Sequence, residues 1–150
     1  MIYLGADHAG YDLKEAVKKH LELRREEIKD LGTFSTESVD YALIAEKVGS
    51  AVVTSEGALG LLFCGTGIGI SIAVNKIHGV RAACCSDCFS AKQSRIHNNA
   101  NVLCLGGRVV GIGLALEIID IFLDTKFSFD DRHIRRIEQI TQLEKSNIEQ

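Results

Sequence analysis

The chain of 150 residues sets 17 lysines and arginines against 20 aspartates and glutamates, a formal net charge of −3, with 46% hydrophobic residues and no proline. This is the size of one domain, spanning 1–150, able to bury a core without disulfide staples, and the mixed charge leaves no basic stripe for nucleic acid. The N-terminus meets Asp7 before a secretory apolar stretch develops, and the longest uncharged stretch, 57–75, is interrupted by glycines, Thr66, Ser71 and Asn75, so neither a signal peptide nor a membrane span is expected.

In chain order, the apolar run 2–6 ending in "DHAG" reads as a strand, and Leu13, Val17 and Leu21 recur at helical spacing over 11–24. A weak strand follows over 27–31, then the loop "GTFSTES" and a helix from about 40 to 54. Residues 59–63 form a continuous buried strand that runs into "CGTGIG" and a helix through "ISIAVNKI". "GVRAACC" reads as a strand, "DCFSAKQSRI" as a helix, "NVLCL" as a strand and "GIGLALEIIDIFL" as an apolar helix. From Asp131 a charged helix carries the stripe Ile134, Ile137, Ile140 and Leu143, which could pack on its own domain or cross to a partner subunit.

Strands alternating with helices predict an α/β fold: a Rossmann-like three-layer α/β/α sandwich with a mostly parallel five-stranded sheet and a C-terminal helix. Such sheets bind ligands at the carboxyl ends of their strands. Asp7, His8, residues 64–69, residues 85–87 and the segment after Leu105 should then share one rim.

The glycines at 65, 67 and 69 miss the dinucleotide fingerprint, whose third glycine falls one residue later, and no P-loop lysine follows them. Alternating glycines between a strand and a helix can turn several amides toward one anion: a phosphate, an oxyanion or the Cys64 thiolate. The same glycines also suit a tight turn without a ligand. Cys64 beside such donors could be a base or nucleophile, or a buried small hydrophobe. Arg132 and Arg136, four apart on one helical face, could grip an anion or pair with Asp130 and Asp131 at the surface. His97, Asn98 and Arg108 flank a strand, and His97 could be a general acid or a structural histidine. Cys85 and Cys88 form one C-x-x-C, too little for zinc and weak evidence of a redox pair. Five cysteines without a signal peptide are expected as free thiols in a reducing cytoplasm.

Six segments in order, "GADHAG", "VDY" at 39–41, "CGTGIGISIAVNKI" at 64–77, "GVRAA", "SRIHNNANVLCLGGRVVG" at 94–111 and "RHIRRI" at 132–137, resemble the type B ribose-5-phosphate isomerases. These belong to the sugar-phosphate isomerase family that includes the galactose-6-phosphate isomerase subunits. The resemblance implies a cytoplasmic enzyme of the pentose phosphate pathway that interconverts D-ribose 5-phosphate and D-ribulose 5-phosphate through a cis-enediolate. It also implies no organic cofactor or metal, and a homodimer or homotetramer with active sites at a subunit interface.

Matched by motif, Cys64 would be the base, and Gly65, Thr66, Gly67, Ile68 and Gly69 would hold the enediolate oxygens. His97 would donate the proton that opens the ring, oriented by Asn98, with Asp7, His8 and Tyr41 at the sugar. Arg108, Arg132 and Arg136, with His8, would hold the phosphate. One subgroup of the family lacks the loop cysteine and uses a glutamate a few residues on; here position 70 is isoleucine, which leaves Cys64 as the base. Ala42 stands where the family usually has proline, a change at a helix start. The rival readings are an isomerase of allose or galactose 6-phosphate and a non-catalytic sugar-phosphate binding module.

Overall fold

In the computed structural model, which describes residues 1–146, the apolar runs become β1 (Ile2–Ala6), β2 (Ile28–Asp30), β3 (Leu59–Cys64), β4 (Ala82–Cys84) and β5 (Val102–Gly106). The helices are α1 (Tyr11–Leu23), α2 (Tyr41–Thr54), α3 (Ile68–Val74), α4 (Cys88–Asn98), α5 (Ile112–Asp124) and α6 (Asp131–Ser146). The sheet order is β2-β1-β3-β5-β4, and every pairing is parallel. The sheet is thus wholly parallel, because each of α1 to α4 returns the chain to the amino edge before the next strand begins.

The apolar runs "LGLLFC" and "VLCLG" lack alternation because β3 and β5 are covered on both faces. Leu61, Phe63, Leu103 and Leu105 face α1, α4 and α5, where they meet Leu13, Val17, Ala91, Ile118 and Phe122. Leu62, Cys64, Val102 and Cys104 face α2 and α3, against Ile44, Val48, Ile70 and Val74. Each fully buried aliphatic or phenyl side chain contributes about 1.5–3 kcal/mol to this sandwich. The edge strands β2 and β4 are three residues each, which limits pairing with other chains. At β4 the Asn75 side chain closes the edge, donating to the Ala82 carbonyl at 3.1 Å and accepting from the Ala82 amide at 2.9 Å.

Lys14 of α1 is fully buried, against the habit of lysine. Its Nζ donates to both Asp30 carboxylate oxygens at 2.7 Å and to the Thr33 carbonyl at 2.6 Å. Burial would raise the Asp30 carboxyl, but hydrogen bonds from Lys14, Gly32 and Lys18 hold it below its ordinary value. The pair pins the start of the loop that joins β2 to α2. At the other end of the chain, α6 buries His133 alone among its described residues, while Ile140 and Leu143 are exposed.

Candidate active site

Three loops meet where the strand order turns: β1 sends the chain out to β2 on one side, and β3 sends it toward β4 on the other. In the first loop, buried Asp7 accepts the Ala9 amide at 2.9 Å and the Gly10 amide at 3.0 Å through Oδ1. Gly10 lies so close to β3 that a Cβ there would come within 2.4 Å of the Phe63 carbonyl. Half-buried His8 accepts the Val39 amide on Nδ1 at 3.2 Å, so a neutral ring carries its proton on Nε2.

The second loop follows Cys64, the last residue of β3, which is 4% exposed and faces α2 and α3. Its Sγ accepts the Gly67 amide at 3.1 Å. Gly67 has φ +77°, and a Cβ there would stand 2.9 Å from the Leu105 carbonyl carbon, so close approach and backbone conformation both require glycine. The exposed Thr66 accepts the amide of exposed Ile68 on Oγ1 at 3.3 Å. Arg108 lies over Gly65 and the Tyr41 ring packs on Gly69, so these two side chains flank the loop.

The third loop, after β5, is tied to the second by the Gly107 amide on the Cys64 carbonyl at 2.8 Å and the Arg108 amide on the Gly65 carbonyl at 3.0 Å. Asp7, His8, Tyr41, residues 64–69 and exposed Arg108 therefore form one cluster at the carboxyl rim.

The other four candidate residues lie elsewhere. Helix α4 runs from the carboxyl end of β4 back toward the amino end of β5, and its 11 residues rise about 16 Å. His97 and Asn98 thus reach the opposite end of the sheet, where the Arg81 guanidinium just ahead of β4 donates to the Asn98 carbonyl at 3.1 Å. Exposed Arg132 and Arg136 sit near them, because α6 docks on this end of α4 with the His97 and His133 ring centroids 4.6 Å apart. A groove of about 610 Å³ opens at the same end, lined by Asn75, His78, Arg81, Asn98 and Glu144 among others. One chain therefore divides the candidate residues between two ends of its sheet.

All five cysteines are free. In the C-x-x-C, burial and the neighbouring Cys84 and Asp87 push the Cys85 thiol up to about 11, and burial with Glu117 and Asp87 raises Cys88. A redox motif works through a lowered thiol, so the pair lacks that activation. Sequence reasoning passed over Gly10, Gly106 and Gly107, whose close contacts join the loops, although "GADHAG" and "LGGR" carried them in plain view. Val39 and His133 lie inside the motifs "VDY" and "RHIRRI", but nothing in the local sequence shows that the Val39 amide binds His8 or that His133 is buried.

The ribose/galactose isomerase family model matches residues 2–140. Ribose-5-phosphate isomerase B of Escherichia coli (strain K12) is 46% identical over 144 residues, covering 96% of both chains. The structure of Clostridium thermocellum ribose-5-phosphate isomerase B superposes with a TM-score of 0.95 at 46% identity, covering 97% of this chain and 98% of that one. The structure of a ribose 5-phosphate isomerase from Thermotoga maritima gives a TM-score of 0.91 at 47% identity, covering 94% and 97%.

Proposed function

Because the chain belongs to the ribose/galactose isomerase family, we propose that it is an aldose–ketose isomerase interconverting D-ribose 5-phosphate and D-ribulose 5-phosphate. The observation that carries this reading is the Cys64 sulfur, held by the Gly67 amide at the point where the three carboxyl-end loops converge. Cys64 as thiolate takes the proton from C2 of the open-chain aldose. The electron pair left behind forms the C1–C2 double bond as the carbonyl pair moves onto O1, giving a cis-enediolate. The Cys64 thiol then returns the proton to C1, and the O2 hydroxyl proton passes to O1, which leaves the C2 ketone. Amides of the 65–69 loop, with Thr66, stabilise the enediolate oxygens, because fixed donors in a dry site favour charge that develops in the transition state. Asp7, His8 and Tyr41 orient the sugar.

The remaining groups come from a second copy. His97 protonates the ring oxygen to open the furanose, Asn98 orients it, and Arg132 and Arg136 join Arg108 on the phosphate, whose binding positions the reacting carbons. The support is geometric: His97 and Cys64 belong to opposite ends of one sheet, and a two-fold pairing brings such ends together twice. The exposed Ile68, Ile72, Phe89, Val109 and Ile112 near the carboxyl rim supply apolar surface for that contact. Among the described residues no helix is long and apolar enough to cross a membrane. The free thiols suit a reducing cytoplasm.

The test is turnover of D-ribose 5-phosphate by the purified chain and by Cys64→Ser, in the presence of a chelator. Activity that survives chelation and collapses in the variant supports the reading. An inactive wild type that turns over allose or galactose 6-phosphate moves the substrate to the hexoses, and a fully active variant removes Cys64 from the reaction.

A further inference from the structure

We propose that His133 is a positioning residue for His97, holding the His97 imidazole in one orientation at the end of α4. This rests on the reading of His97 as the ring-opening proton donor and adds to it a residue that the mechanism does not otherwise use.

His133 is 3% exposed and lies against exposed His97, the ring planes tilted by 40°. Its Nδ1 is 2.6 Å from Ser128 Oγ, and that hydroxyl already accepts the Asp130 amide at 3.2 Å, which leaves its own proton free for Nδ1. The connection between α5 and α6 therefore clamps one edge of the His133 ring, with Phe127 behind it at a centroid distance of 6.5 Å. The titratable and charged groups around it are Asp130, 3.8 Å from Nδ1, with Arg132, Arg136 and His97. Burial and the neighbouring Arg132, His97 and Arg136 outweigh Asp130 and push His133 below the ordinary histidine value, so near neutrality it is an uncharged wall.

A proton donor must reach its acceptor within about 2.6–3.2 Å, and free rotation of an exposed imidazole spends most of its time outside that range. A clamped, neutral ring beside His97 removes that freedom without adding charge. Arg132 and Arg136 lie in the first two turns of the same helix as His133, so the clamp also keeps His97 in register with the phosphate-binding groups.

The experiment compares wild type, His133→Ala, His133→Phe and Ser128→Ala in the full chain. Three-bond couplings about χ1 of His97, assigned with His97→Asn, should report one rotamer in wild type, averaging in His133→Ala and restoration in His133→Phe. The initial rate on ribose 5-phosphate should fall by up to about 100-fold in His133→Ala, as for a misplaced catalytic group. The rate on ribulose 5-phosphate, which needs no ring opening, should stay near wild type. An equal loss in both directions by a folded His133→Ala would mean a structural role only, and an unchanged His97 rotamer would overturn the proposal. Should His133→Ala fail to fold, Ser128→Ala must show the same changes on a smaller scale, and its silence would overturn the proposal equally. Inactivity of wild type on both sugars would refute the isomerase reading, while the couplings would still decide whether His133 positions His97.

Discussion

The sulfur of Cys64 and the amide of Gly67 are joined by a hydrogen bond of 3.1 Å, within a loop whose glycine adopts φ +77°. The third amide of the glycine loop therefore serves the cysteine three residues before it, and the side-chain rotamer of Cys64 depends on a backbone conformation that costs most L-residues about 1–2 kcal/mol.

Gly67→Ala tests that dependence. Besides the φ penalty, the new methyl would meet the Leu105 carbonyl carbon at 2.9 Å and Cys84 Sγ at 3.1 Å, so the loop must shift and take its amide from the sulfur. We expect kcat to fall by about 100-fold with KM little changed. Steady-state kinetics on ribose 5-phosphate checks it, and a wild-type kcat would show that the amide has no part in holding the base.

His97→Asn should separate the two reaction directions. Ribulose 5-phosphate cannot close a five-membered ring, because its C5 oxygen carries the phosphate, so its conversion needs no ring opening. With ribose 5-phosphate the variant's rate should stop rising with enzyme concentration and level at the spontaneous opening rate. Progress curves at several enzyme concentrations, run in both directions, give the answer; proportional rates in the aldose direction would refute the role of His97.

Mixed assemblies report whether the site is shared. Cys64→Ala and Arg132→Ala/Arg136→Ala chains, each nearly inactive alone, should regain activity when unfolded together and refolded. A mixed pair contains one site with both defects and one with none, so about a quarter of wild-type activity is expected from equal mixing. No recovery would place the two groups in one chain's site.

Lys14→Met should destabilise the fold and flatten its acid sensitivity. Removing one partner of a buried pair costs about 3–5 kcal/mol, or roughly 10 °C in melting temperature at this size. In wild type the folded Asp30 carboxyl sits below its unfolded value, so its contribution is fully present above about pH 4 and is lost as pH falls through the lower folded value. Melting temperatures between about pH 6 and pH 3 should therefore drop less steeply in the variant. An unchanged slope would show that Lys14 is not what holds Asp30 ionised.

Residue spacing alone shows which segments are buried and what kind of element each becomes. The run "LGLLFC" has no polar face to expose, and Leu13, Val17 and Leu21 repeat at the helical period, so strand and helix follow from local geometry. The cluster at the carboxyl rim was legible too, because a parallel sheet gathers the ends of its strands at one edge, which brings Asp7, Cys64 and Arg108 together from distant positions.

Long-range packing fixed the remaining features. Placing β5 between β3 and β4 is a choice among pairings that local pattern does not distinguish. The separation of His97 from Cys64 follows from the direction of α4, which must return the chain to the amino edge before β5 can run parallel. Lys14 and His133 look like surface residues in the sequence. Each is buried because a partner from another segment meets it, Asp30 and Thr33 in one case and Ser128 and His97 in the other. Pairings of that kind arise only when the chain has closed on itself, since a polar group can leave water only where its hydrogen bonds are replaced.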